Sequence, residues 1–311
     1  MENKRFAIGM EGRFRPIILN TLRSTYYSRT FVRSTVNLSY KIIGENSVEP
    51  DDEEPAVFIL HELLGIKRQW GSLAKTIMNI TGRQLVAVDL RNHGESPHAN
   101  SHKYEELTMD VINLFEKLKI NRATIIGHGM GGRTAMCVSL IAAKRVTGLI
   151  IIDTSPVSTP KQLNEEFPKI LIAMKSFDFK NAKKVNNAKT EAKKQLENIV
   201  TDDLTMDTVL SNVKVKPDGT IGWACNVEIF IKHFPYIKSF PPAMTVKQYY
   251  GPTLFIGGQM SEFLPPDDLT SIREIFPQAV ITYIPKTGHN VHVDDPKTFL
   301  ELTISFLKAT S

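Results

Sequence analysis

The stretch Ala123-Thr124-Ile125-Ile126-Gly127-His128-Gly129-Met130-Gly131-Gly132 decides the fold. Its first four residues form the short, apolar, partly β-branched run of a buried strand, and residues 131–142 continue with the apolar spacing of a helix. Between them the chain has to turn sharply, and glycines on either side of a central residue remove the side chains that would obstruct the turn. The pattern is small-x-nucleophile-x-small, a strand-elbow-helix that lifts its central residue above the carboxyl edge of a sheet. Where that pattern carries a serine, this chain has Gly129. Without further support the segment would read as a plain glycine-rich turn.

Working outward, strand-length apolar runs alternate with segments of helical period. Strands are predicted at 36–41, 56–60, 84–88, 123–126, 148–152, 252–256 and 280–284, and helices at 70–80, 104–118, 131–142 and 296–309, with an acidic turn at 49–54. Such alternation specifies parallel βαβ units, hence an α/β fold with a mostly parallel central sheet and helices on both faces. From 154 to about 240 the alternation gives way to helical, lysine- and asparagine-rich sequence such as 180–194. This reads as an inserted helical cap at 154–240, dividing the core into 35–153 and 241–311. The lysine run reads as a solvated helix face, with contact to a membrane surface the sharper alternative.

At 311 residues with 42% hydrophobic and 23% charged content, the chain can bury one large core and is not of disordered composition. Cys137 and Cys225 lie in apolar sequence and cannot build a disulfide framework. No run reaches the roughly 18 apolar residues of a spanning helix. Residues 1–34 hold seven basic and two acidic residues, leaving 31 of each sign in the remainder. The body therefore lacks a nucleic-acid footprint. The leader is arginine-rich and acid-poor, with hydroxyl residues and only a brief apolar stretch at 17–19, so it reads as a mitochondrial transit peptide, with a plain basic tail as the alternative.

Four other segments fit an acyl-transfer site. His61 ends a strand and opens Glu62-Leu63-Leu64-Gly65, where the backbone N–H of Leu63 would complete an oxyanion hole with that of Met130. Asp89-Leu90-Arg91-Asn92-His93-Gly94-Glu95-Ser96 is a loop after a strand, and Gly288-His289-Asn290-Val291-His292 follows the last strand, where a triad histidine belongs. The fourth, residues 223–234, contains Glu228. Glu262 and Asp153 are rival acids.

Together these blocks resemble the mitochondrial abhydrolase-domain-containing protein eleven family of α/β-hydrolases, diacylglycerol lipase-like serine hydrolases. The resemblance runs from about residue 35 to the C-terminus. It is carried by His61 with Leu63-Leu64-Gly65, Asp89 with Arg91-Asn92-His93-Gly94, Gly127-His128 with Met130-Gly131-Gly132, Ile152-Asp153, Gly251-Pro252-Thr253 and Gly288-His289. It implies an acyl ester or acylglycerol ligand, a place in the mitochondrial matrix, His289 as the catalytic histidine and Glu228 at the position of the family's catalytic aspartate. Three residues depart from it: Gly129 for the serine, Glu62 for a glycine, and Glu228 for aspartate. A glycine has no atom to hold an acyl group, and a carboxylate at Glu62 opposes an oxyanion. The reading that follows is an impaired hydrolase retaining a role in binding lipid, acyl ester or a mitochondrial protein partner. The alternative is an active ester hydrolase in which His289 activates water. No metal or organic cofactor is implied, because the histidines lack ligand spacing and no dinucleotide fingerprint follows a strand.

Overall fold

β2 (Ala56–Leu60), β3 (Leu85–Asp89) and β4 (Ala123–His128) are buried at every position, as central parallel strands covered on both faces must be. They belong to a seven-stranded sheet, completed by β1 (Ser39–Ile43), β5 (Val146–Ile152), β8 (Thr253–Gly258) and β9 (Ala279–Ile284), in the order β1-β3-β2-β4-β5-β8-β9. Edge strand β1 runs antiparallel to β3, and every other neighbouring pair in this sheet is parallel. The computed structural model describes residues 35–44, 54–180 and 182–310. The leader at 1–34 and all of the acidic turn except Glu54 lie outside these residues.

Strand alternation sends successive side chains to opposite faces. Phe58 and Leu60 join the core under helices α2 (Tyr104–Lys117) and α3 (Met130–Ile141). Val57 and Ile59 face Trp70, Ala74 and Ile77 of the segment leading into and forming α1 (Gly71–Thr81), and Phe299 and Leu307 of the C-terminal helix at Pro296–Ala309. The first strand begins three residues later than predicted. The backbone N–H of Val36 bonds instead to the Asp110 carboxylate at 2.9 Å.

Between β5 and β8 lie α4 (Lys161–Glu165), α5 (Phe167–Ser176), α6 (Val185–Leu196), α7 (Asp203–Ser211), α8 (Val227–Ile237) and the single turn α9 (Pro242–Thr245). This segment also contains a two-stranded antiparallel hairpin, β6 (Val213–Val215) with β7 (Ile221–Trp223), where only helix was expected. Trp223 donates its indole N–H to the Met174 carbonyl at 2.8 Å, tying the hairpin to α5. On α6, Ala188, Ala192 and Leu196 form a buried stripe at four-residue spacing, while Lys193 and Lys194 are exposed. Buried Arg133 ties the segment to α3. Its guanidinium donates to the carbonyls of Ser155 (3.1 Å), Lys238 (2.6 Å) and Ser158 (2.8 Å). After β8 come α10 (Leu269–Ile275), α11 (Val291–Asp294) and α12 (Pro296–Ala309). Cys137 and Cys225 are buried free thiols.

Candidate active site

The elbow forms as its sequence requires. Gly129 sits at φ 52° and ψ −116°, a conformation that costs a side-chain-bearing residue strain. The turn is held from below by backbone proximity: a Cβ on Gly131 would stand 2.3 Å from the Leu60 carbonyl oxygen, so no side chain fits there. Register does the rest. His128 pairs with Ile152 across β4 and β5, so the next residues, Gly129 and Asp153, emerge side by side at the carboxyl edge.

His289 reaches this edge from the loop between β9 and α11. Its Nδ1 lies 2.8 Å from Oδ2 of Asp153, which is fully buried. Asp153 also accepts the Gly258 N–H at Oδ1 (2.9 Å) and the Ser261 hydroxyl at Oδ2. Phe263 stacks on the His289 ring with centroids 3.7 Å apart. A Cβ placed on Gly129 would stand 3.5 Å from His289 Nε2, so the imidazole points at the place a serine hydroxyl would occupy. In this chain Nε2 instead meets the carboxylate of Glu62, at 3.2 Å. Glu62 Oε2 is also 4.0 Å from Nδ1 of His128.

Burial alone would lower the His289 pKa, but hydrogen bonds and charge from Asp153 and Glu62 outweigh it and push it up to about 9. Burial would raise Glu62, yet the facing imidazoles of His128, His289 and His292 hold it at about 2. His128 is brought down to about 4 by burial, against the pull of Glu62, so it is neutral at pH 7 and His289 is the cation of the group. A histidine ionised between two carboxylates is poorly placed to take a proton from water.

Two more imidazoles stitch the loop carrying Glu62 to the loop after β3. His61 Nε2 accepts the Leu90 N–H at 3.0 Å, so its Nδ1–H donates to the Glu62 carbonyl at 2.7 Å. His93 Nε2 accepts the Leu64 N–H at 3.1 Å, and its Nδ1–H donates to the Arg91 carbonyl at 2.9 Å. Leu63 and Met130 flank Gly129 and line with it a cavity of about 20 Å³ closed by Leu163, Phe167 and Ile237. Outside it, a cleft of about 500 Å³ passes over Glu62 and His289, lined by Leu64, Phe167, Leu204 and Met260 among others.

The structure thus brings together Gly129, His289, Asp153, Leu63 and Met130. It does not bring in Glu228, which is exposed in the first turn of α8 and paired with Lys175 at 3.6 Å. The match of Glu228 to a triad acid is corrected accordingly: Asp153 holds His289. The signal for Asp153 was its place directly after a buried strand. Glu262 lines the cleft but is exposed, and no hydrogen bond joins it to His289 among the described residues. His128, on the strand end just before the elbow, also points into the site. Sequence spacing offered no metal-ligand set, yet folding brings Glu62, His128 and His289 into one cluster. Phe263 and Ser261 carried no signal beyond lying in a loop after a strand.

A parallel sheet of this order, a strand-elbow-helix at its centre and an aspartate-held histidine facing the elbow define an α/β hydrolase. The family described as alpha/beta hydrolase fold matches residues 55–296. The chain is 36% identical over 275 residues to the sn-1-specific diacylglycerol lipase ABHD11 of Danio rerio, covering 88% of this chain and 84% of that one. To the protein of the same name from Mus musculus it is 34% identical over 280 residues, 90% of each. Among solved structures, a marine microorganism esterase superposes with a TM-score of 0.78 at 30% identity, over 88% of this chain and all of that one. The chain therefore belongs to the α/β-hydrolase family, as a relative of these ABHD11 lipases.

Proposed function

We propose that this chain is an acylglycerol lipase-like α/β hydrolase that has lost acyl-enzyme chemistry and retains a role in binding neutral acyl esters. The observation that carries this reading is the elbow: its apex is Gly129, and the histidine nitrogen aimed at the apex is engaged by Glu62. Covalent catalysis needs an oxygen or sulfur at the apex and a histidine nitrogen able to accept its proton. Both ring nitrogens of His289 already face carboxylates, which disfavours the alternative of direct water activation. The 500 Å³ cleft is within the size range of small-molecule sites. Its lining has Glu62, Glu166, Asp202, Glu262 and Asp294 against Lys161 and the ionised His289, a charge balance that favours neutral acylglycerols over fatty-acid anions. The names of the ABHD11 relatives support the same substrate class.

The expected result with an active-site-directed fluorophosphonate probe is no labelling of the wild-type protein and ester turnover at background. Labelling, or turnover abolished by His289→Ala, overturns the reading. Composition of the leader supports import into the mitochondrial matrix. A reporter fused to residues 1–40 is expected to reach mitochondria, and a diffuse cytosolic signal would refute import.

A further inference from the structure

Glu62, His128 and His289 meet from three separate strand ends. Their donor atoms Oε2, Nδ1 and Nε2 lie within 4.8 Å of one another, Oε2 being 3.2 Å from His289 Nε2 and 4.0 Å from His128 Nδ1. Hydrogen bonding decides which atoms face inward. His128 Nε2 lies 3.0 Å from the His289 carbonyl oxygen, which can only accept, so Nε2 carries the hydrogen and Nδ1 is the nitrogen turned to the cluster. Nδ1 stands 4.0 Å from the Glu62 carboxylate, beyond hydrogen-bond reach. His289 is anchored through Nδ1 to Asp153, leaving Nε2 toward the same point. Each imidazole thus has its outer nitrogen fixed by an oxygen acceptor, the arrangement that orients histidines around metal ions.

We propose that Glu62, His128 and His289 form a binding site for a divalent transition-metal cation of the zinc class, supported from behind by Asp153. The inference rests on the reading that the elbow carries no nucleophile. Two histidines and one carboxylate are a ligand set for zinc with a fourth position left for water or a substrate oxygen. Tetrahedral donors about 2.0–2.2 Å from a zinc ion stand roughly 3.3–3.5 Å apart. Glu62 and His289 are at that spacing already; the Glu62–His128 distance has to close by about half an ångström, and the two imidazole nitrogens, within 4.8 Å of each other, by about an ångström more than Glu62 can supply, so a ring has to shift on binding. Two carboxylates, Asp153 and Glu62, flank the His289 imidazole. A cation bound at Nε2 displaces any proton there to solvent, with no change of oxidation state. Carboxylates along the cleft raise the local cation concentration.

The test uses the untagged full chain stripped with a chelator and titrated with Co²⁺. One equivalent is expected to bind with the intense visible absorption of a four- or five-coordinate ion, and Zn²⁺ is expected to displace it. Glu62→Gln preserves the shape of the side chain but not its charge, and should weaken binding about a hundred-fold or more. Glu228→Gln, an exposed carboxylate outside the cleft, should leave affinity unchanged. Absence of the absorption band, or equal affinity in a Glu62→Gln protein with wild-type circular dichroism, overturns the metal site. Fluorophosphonate labelling of the stripped protein would instead overturn the no-nucleophile reading, whatever Co²⁺ does.

Discussion

The double variant Gly129→Ser with Glu62→Gly is expected to take fluorophosphonate label and to hydrolyse short acyl esters at least about a hundred-fold faster than Gly129→Ser alone. A Cβ at position 129 would lie 3.5 Å from His289 Nε2, so a serine hydroxyl there comes within hydrogen-bond reach of its base. In the single variant that hydroxyl competes with Glu62 for the same nitrogen, and the new Cβ stands 3.2 Å from Glu62 Cβ, tighter than ordinary packing. The carboxylate also opposes the tetrahedral oxyanion, an effect of a few kcal/mol if it matches the loss of one hole donor. Removing Glu62 frees the base and relieves both penalties. Serine at a positive φ will cost about 1–3 kcal/mol of stability. Adding His289→Ala should return the double variant to background, and adding Asp153→Asn should lower turnover by about ten-thousand-fold. Adding Glu228→Gln should change nothing, because Glu228 is exposed on α8. A folded double variant that neither labels nor turns over would show that the site has drifted beyond these two positions.

The elbow was legible because everything that makes it is local: a buried strand, small residues at fixed spacing and a helical period within twenty residues. The C-terminal helix at Pro296–Ala309 was legible for the same reason, with proline at its first position and Asp295 as its N-cap. The choice between Asp153 and Glu228 was not local. Both are acids preceding His289 in the chain, and only the register that pairs His128 with Ile152 carries Asp153 to the elbow. The hairpin β6–β7 escaped notice because strands of three residues show no measurable alternation. The engagement of His289 by Glu62, and the inward turn of His128, are matters of side-chain placement between segments more than sixty residues apart. Sequence spacing contains no trace of them.

The second large effect is on stability. Asp110→Ala is expected to destabilise the fold by about 3–5 kcal/mol, the usual consequence of removing one partner from a buried ion pair. Arg91 is buried in the loop after β3, and its guanidinium meets the Asp110 carboxylate through Nε at 2.6 Å and Nη2 at 2.8 Å. Glu106, at 3.2 Å from Nη1, is the only other carboxylate paired with Arg91 among the described residues. Asp110 also accepts the Val36 N–H, so its loss releases the approach to β1 as well. The consequence extends to the site, because the Arg91 carbonyl holds His93, and His93 in turn holds the backbone of Leu64 beside Leu63. Urea denaturation of Asp110→Ala should therefore show a lowered midpoint with an unchanged slope. Asp110→Asn keeps an acceptor for Arg91 and for Val36 but gives up the charge, so its loss should be smaller. A loss under about 1 kcal/mol in Asp110→Ala would mean that Glu106 takes over the guanidinium and that the loop does not depend on the pair.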